Sequence, residues 1–218
     1  MKRKRRVERL HLELPDLGPL NTQLMGIWAV HVASGRLGKT FRSGRALVTS
    51  FLRLSDHALF SHKLARQAYL EGDKAAVVAP EQWTTRERLD SALAAFTSSA
   101  RATSHLEVAV TSAHRALCFL HDASKVEPEL RRLIVRKQIR RAGVRRKLSK
   151  LRNAIQHLDE RVRDDRLKGN PIAPFIRGNF LRIGERRIRP ATLVRWLQEM
   201  QATGVAIVRR ASATSNVP

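Results

Sequence analysis

One short stretch of the chain brings together side chains that can move a proton and hold an oxyanion. It reads Leu151-Arg152-Asn153-Ala154-Ile155-Gln156-His157-Leu158-Asp159-Glu160-Arg161. The imidazole of His157 can both take and give a proton. The guanidinium of Arg152 offers a planar fork that matches a phosphate or carboxylate. Asn153 can donate and accept hydrogen bonds beside them.

A helix must position these residues. Leu148, Leu151, Ile155, Leu158 and Val162 follow one another at spacings of 3, 4, 3 and 4, which makes a single apolar seam. At ~100° per residue, Asn153 and His157 fall roughly opposite that seam and share a face, with Arg146, Lys150 and Asp164 on the same stripe. Arg152 sits on the flank, well rotated from His157. One straight helix therefore does not aim both at one atom. If they act together, a second helix or a second copy of this one completes the site.

The run Arg-Asn-x-x-x-His at 152–157 resembles the signature of the HEPN superfamily, Arg-x(4–6)-His with a polar residue after the Arg. Upstream, Phe119-Leu120-His121-Asp122-Ala123-Ser124-Lys125 is similar to the penultimate-helix pattern of HEPN-like bacterial proteins. The resemblance spans about residues 45–165 and rests on the full run. The bare Arg-x(4–6)-His pattern also occurs from Arg6 to His11 and from Arg115 to His121. It implies a metal-independent endoribonuclease of the toxin or phage-defence kind, with a site composed across a homodimer, no cofactor, and a possible antitoxin-like protein partner. In that chemistry a 2′-OH loses its proton and attacks the adjacent phosphate. His157 would be the acid/base, Arg152 would stabilise the crowded phosphate, and Asn153 would orient the His or the phosphate.

Charge points to the same class of partner. The 218 residues carry a formal charge of +23, with 42 Lys and Arg against 19 Asp and Glu. Cationic side chains gain affinity for nucleic acid by releasing condensed counterions. From Arg131 to Arg152 no acid interrupts a dense basic run, in which Arg140, Arg141, Arg145, Arg146 and Lys150 are the candidate nucleic-acid contacts. A second patch runs through Arg182, Arg186, Arg187, Arg189 and Arg195. Charge alone carries no sequence information, so RNA is expected and DNA remains open. A non-catalytic basic helical module, or a structural, dimerising partner protein, is the alternative function. Aromatics are 5% of the chain, with a single Tyr, Tyr69. Single-strand binders of the OB or RRM kind need several stacking rings on a sheet, and the chain lacks these features.

The pattern predicts a mainly α fold, an antiparallel helical bundle with a small C-terminal β-hairpin followed by a helix. Residues 1–19 read as a basic irregular arm, and residues 20–167 as the helical bundle. Residues 168–210 read as a hairpin plus helix appended to the same domain, and 211–218 as a frayed tail. Within the bundle, 20–32 is a short apolar helix or strand, and Arg45–Glu71 a helix. Thr84 or Thr85 caps a helix running to about His121, with a break possible near Ser98–Ser99. Pro128 suits the first turn of a helix running to about Leu167, with an interruption possible at Gly143. From Phe175 to Arg189 apolar and polar residues alternate, and Gly178-Asn179 and Gly184 are turn signals.

Rival motifs fit poorly. Ala33–Thr40 has the permissive phosphate-loop form with Ala in place of the first Gly, but no parallel sheet is expected behind it. His121-Asp122 is similar to a metal-binding His-Asp pair of HD-type phosphohydrolases, with poor spacing to any further ligand. His57 and His62 are five apart and do not share a face well. His114 and His121, seven apart, do, and read as a packed pair. Cys118 is the only cysteine, so there is no internal disulfide and no Cys-rich zinc site. Its surroundings read as apolar. No segment is apolar for long enough to span a membrane, and the basic start is not followed by an apolar stretch, so a cytoplasmic location and no membrane partner are expected.

Overall fold

The computed structural model describes residues 14–18, 23–35, 41–75, 84–134, 142–157, 160, 175–177, 180–183 and 186–213. It is a mainly α fold with a small antiparallel sheet before the final helix. The described helices are α1 (Leu24–Ala33), α2 (Arg45–Ala75), α3 (Thr85–Val126), α4 (Pro128–Ile134), α5 (Ala142–Gln156) and α6 (Pro190–Ala213). The strands are β1 (Phe175–Arg177), β2 (Phe180–Ile183) and β3 (Arg186–Ile188). None of the described helices is long and apolar enough to cross a membrane.

The long helices α2 and α3 form the spine. Gly44 meets Glu127, His57 meets Ser112, and Glu71 pairs with Arg101, so the two run antiparallel. Small residues line the contact: Ala58, Ala65 and Ala68 on α2, and Ala102, Ala109, Ala113 and Ala116 on α3, all buried. Their size lets the backbones approach closely. Ser98 and Ser99 do not break α3; they lie against Gly72 of α2, where an added methyl would sit tightly, 3.2 Å from Ser98 Cβ.

Local chemistry explains where these helices begin and end. Thr84 Oγ1 accepts from the Glu87 backbone N–H at 3.3 Å, and Glu87 accepts from the Thr84 N–H at 2.7 Å, a reciprocal capping box. Pro128 disfavours helical backbone at the residue before it, and Glu127 is extended, at φ −119°, ending α3. The Glu127 carboxylate then accepts from the buried Gly44 N–H at 2.6 Å, at the start of α2. α1 has no side-chain cap of its own; Asp56 of α2 accepts from the Met25 N–H at 2.9 Å instead.

Trp28 is fully buried and donates its indole N–H to Thr49 Oγ1 at 2.9 Å, fastening α1 to α2. α6 packs on α1 and α2, closely enough that a methyl at Gly204 would meet Leu24 and Leu52. Residues 14–18 have no helix or strand, but they are not a loose arm. Leu14 and Leu17 are core residues, held by Arg66 Nε donating to the Leu14 carbonyl and Gln198 donating to the Leu17 carbonyl. The C-terminal end also differs from expectation. Ala211 is buried and α6 continues to Ala213, because the apolar stripe through Ile207 and Val208 extends to it. Leu89, Leu93 and Phe96, which continue the apolar pattern of α3, are exposed.

The sheet has the order β1-β2-β3, both pairs antiparallel, so the expected hairpin is extended by a third strand. Leu181 pairs with Ile188 across β2 and β3; both are buried, as is Ile183. These three belong to the same core as Leu148 and Leu151 of α5 and Trp196 of α6. The sheet thus packs on α5 and leaves Arg186 and Arg187 at the surface.

Candidate nucleic-acid interface

Helix α5 organises the described candidate residues, with His157 directly after its last turn. Val144, Leu148, Leu151 and Ala154 are its buried residues. On a helix of ~100° per residue, Arg145 and Arg152 then lie on one flank, Lys147 and Lys150 on the other, and Arg146, Asn153 and His157 face outward. The neighbours follow that division: α3 packs beside the first flank, β2 and β3 beside the second.

On the sheet side lies a groove of about 330 Å³. Leu151, Phe180, Ile188 and Trp196 give it an apolar floor. Lys147 and Lys150 of α5 meet Arg186, Arg187 and Arg189 of the β3 segment around it. No acidic residue lines it among the described residues. The Arg187 guanidinium lies 5.2 Å from the centroid of the Phe180 ring, and that of Arg189 lies 6.0 Å from it. The ring therefore orders two cations as well as offering an apolar face.

On the opposite flank, Arg152 enters an open cleft of about 310 Å³ between α5 and α3. His114, Arg115, Cys118, Phe119 and Asp122 complete it. His114 Nε2 lies 3.8 Å from Cys118 Sγ. Burial, with the positive charges of Arg152 and Arg145, pushes the His114 imidazole below its ordinary pKa. Asp122 lies below the usual carboxylate range, chiefly because Lys125 donates to it at 2.7 Å.

His157 lies apart from both hollows. It is just over half exposed at the end of α5, and its Nδ1 lies 2.8 Å from Glu160 Oε2. When Nδ1–H donates to that carboxylate, Nε2 carries the lone pair and can act as an acceptor. Asn153 is exposed and accepts from Arg152 at 3.5 Å.

The structure thus brings Asn153 beside Arg152 but points Arg152 toward α3 and leaves His157 on the outer face. The candidate nucleic-acid contacts also divide. Lys150 reaches the sheet-side groove, Arg146 faces outward, and the charge of Arg145 acts on His114 and Asp122 in the cleft. They do not form one continuous surface, because successive residues of a helix point in different directions. Arg140 and Arg141 lie outside the described residues.

Four residues acquire roles that the sequence reading did not give them. Glu160 is the partner of His157; its i, i+3 spacing was the available signal. Phe180 is the ring at the groove, and its place beside Lys147 follows only from the sheet packing on α5. His114 and Cys118 face one cleft, as their i, i+4 spacing allows. Cys118 consequently shares its cleft with polar and charged side chains as well as with Phe119. The rival motifs also separate. Helix α1 occupies the place where a phosphate loop needs a strand, and Asp122 is engaged by Lys125. Among the described residues no three His, Cys, Asp or Glu side chains gather as a metal site requires.

In comparisons with known proteins, no family model, no curated protein and no solved structure matches this chain.

Proposed function

We propose that this protein binds nucleic acid, single-stranded RNA in the first instance, in the groove between α5 and the sheet. One observation carries this reading: five cations from two segments far apart in sequence converge on one apolar-floored groove with no acid among its described lining residues. Converging cations retain phosphates through counterion release. Phe180 and the guanidinium planes beside it offer stacking surfaces to unpaired bases, which a duplex would keep hidden. Ultraviolet crosslinking of the protein to a uridine-rich RNA tests the placement. Crosslinks are expected at Phe180, the neighbouring β3 segment and Trp196; crosslinks confined to α1 or α2 would refute it.

A second reading adds chemistry, and the His157–Glu160 contact favours it. An exposed imidazole oriented by a carboxylate is suited to removing a 2′-OH proton. In the HEPN-type endoribonuclease that the sequence resembles, Arg152 would stabilise the phosphate. Because Arg152 and His157 diverge within one chain, this reading requires a second copy to supply one of them. Incubation with RNA in EDTA tests it: cleavage that leaves cyclic phosphate ends and disappears in His157→Ala is the expected result. Cleavage retained in His157→Ala would refute it.

A further inference from the structure

The cleft between α3 and α5 is separate from the groove; the groove reading uses none of its residues, and the cleavage reading uses only Arg152. Arg115 and Arg152 line it, and Arg145 stands close enough for its charge to act on two of the lining side chains. Among the described residues the only carboxylate in its lining, Asp122, is paired with Lys125 at 2.7 Å. Two nitrogens here, Arg152 Nε and His114 Nδ1, are buried without a hydrogen-bond partner. A guanidinium N–H left without an acceptor is costly, and a small turn of the Arg152 side chain toward an anion in the cleft would supply one. A cation would meet two guanidinium groups in the lining with only an occupied carboxylate to oppose them.

We propose that the α3–α5 cleft is a phosphate-binding site in which Arg152 and Arg115 hold the anion and His114 contributes a further hydrogen bond. The phosphate can belong to a nucleic-acid strand crossing α5 from the groove, or to a small free molecule. The site itself stands independently of the groove.

Cys118 reports on it directly. It is the only cysteine of the chain, it lines the cleft, and it is partly exposed. Alkylation by iodoacetamide is measured on the full chain, with inorganic phosphate compared against chloride at equal ionic strength. Only the free fraction reacts, so phosphate at about ten times its Kd slows alkylation roughly tenfold. Arg152→Gln abolishes the protection, while Lys150→Gln in the groove leaves it intact. Should Arg152→Gln not fold by circular dichroism, the exposed Arg115→Gln serves, with protection weakened. No protection beyond that of chloride, or equal protection in both the wild type and the cleft variants, overturns the proposal.

A second arm adds single-stranded RNA in place of phosphate. Protection by RNA that is lost in a Lys147→Gln, Arg187→Gln variant, with phosphate protection retained, assigns the phosphate to a strand spanning both flanks. Protection by phosphate but not by bound RNA assigns it to a small free anion. If RNA does not bind at all and phosphate still protects, the groove reading fails and the cleft stands.

Discussion

The guanidinium of Arg187 lies 5.2 Å from the centre of the Phe180 ring, so one of the groove's cations is held in place by an aromatic ring of the sheet. Charge and stacking surface are thus coupled, and they can be separated by substitution. Phe180→Ala removes the ring and no charge. It is expected to weaken single-stranded RNA binding by about 1–2 kcal/mol, roughly fivefold to thirtyfold, with the salt dependence unchanged. Arg187→Gln is expected to lower the salt dependence as well as the affinity. Fluorescence anisotropy at several salt concentrations distinguishes the two.

The His157–Glu160 contact makes a graded prediction for the cleavage reading. His157→Ala removes the acid/base and is expected to abolish cleavage. Glu160→Gln keeps a side chain of the same size but removes the carboxylate that orients the ring, and is expected to reduce the rate by about tenfold to a hundredfold. RNA binding measured in parallel should be nearly unchanged in both, since neither residue lines the groove.

Gly44 is fixed by its neighbour. A methyl group at this position would lie 2.6 Å from Cγ of Glu127, at the point where that side chain accepts from the Gly44 N–H. Gly44→Ala is therefore expected to destabilise the fold by about 1–3 kcal/mol, read as a lower denaturation midpoint at unchanged slope.

Two groups of α2 give the stability opposite pH dependences. His62 is fully buried; burial, reinforced by Arg66 and opposed by Asp16, lowers its pKa to about 4. Between its ordinary 6.5 and about 4 the unfolded chain binds a proton that the folded chain refuses, so stability falls as pH falls through that window. The full loss is on the order of 3 kcal/mol. Asp56 has its pKa raised by burial to about 6, against hydrogen bonds from the Met25 and Leu24 backbone. From 3.8 to about 6 the folded chain keeps a proton that the unfolded chain releases, so this group lowers stability as pH rises. His62→Leu should raise the denaturation midpoint more at about pH 4.5 than at about pH 7.5. Asp56→Asn should do the reverse.

Much of the architecture could be read from local signals because the residues responsible are neighbours in sequence. Thr84 and Glu87 announce the start of α3, Pro128 the start of α4, and the Leu148–Leu151–Ile155 seam the inward face of α5. The seam also separates Arg152 from His157 on the helix wheel before any packing is known. Ser98 and Ser99 misled for a physical reason: small residues that suggest a break in an isolated helix also permit close contact, and Gly72 supplies the partner. What each flank of α5 faces could not be read, since it depends on α3 and the sheet packing on opposite sides. The joining of Lys147 and Lys150 with Arg186, Arg187 and Arg189, and the meeting of Arg152 with His114, both follow from that arrangement.

The groove is tested most directly by the salt dependence of single-stranded RNA binding in the wild type and in Lys147→Gln, Lys150→Gln, Arg187→Gln. Each phosphate neutralised contributes about −0.7 to the slope of log K against log salt concentration for a single strand. Removing three cations should flatten the slope by about 2 and weaken binding at low salt, while circular dichroism shows the helices intact. An unchanged slope and affinity in a folded triple variant would show that the anionic strand lies elsewhere, and would contradict the account.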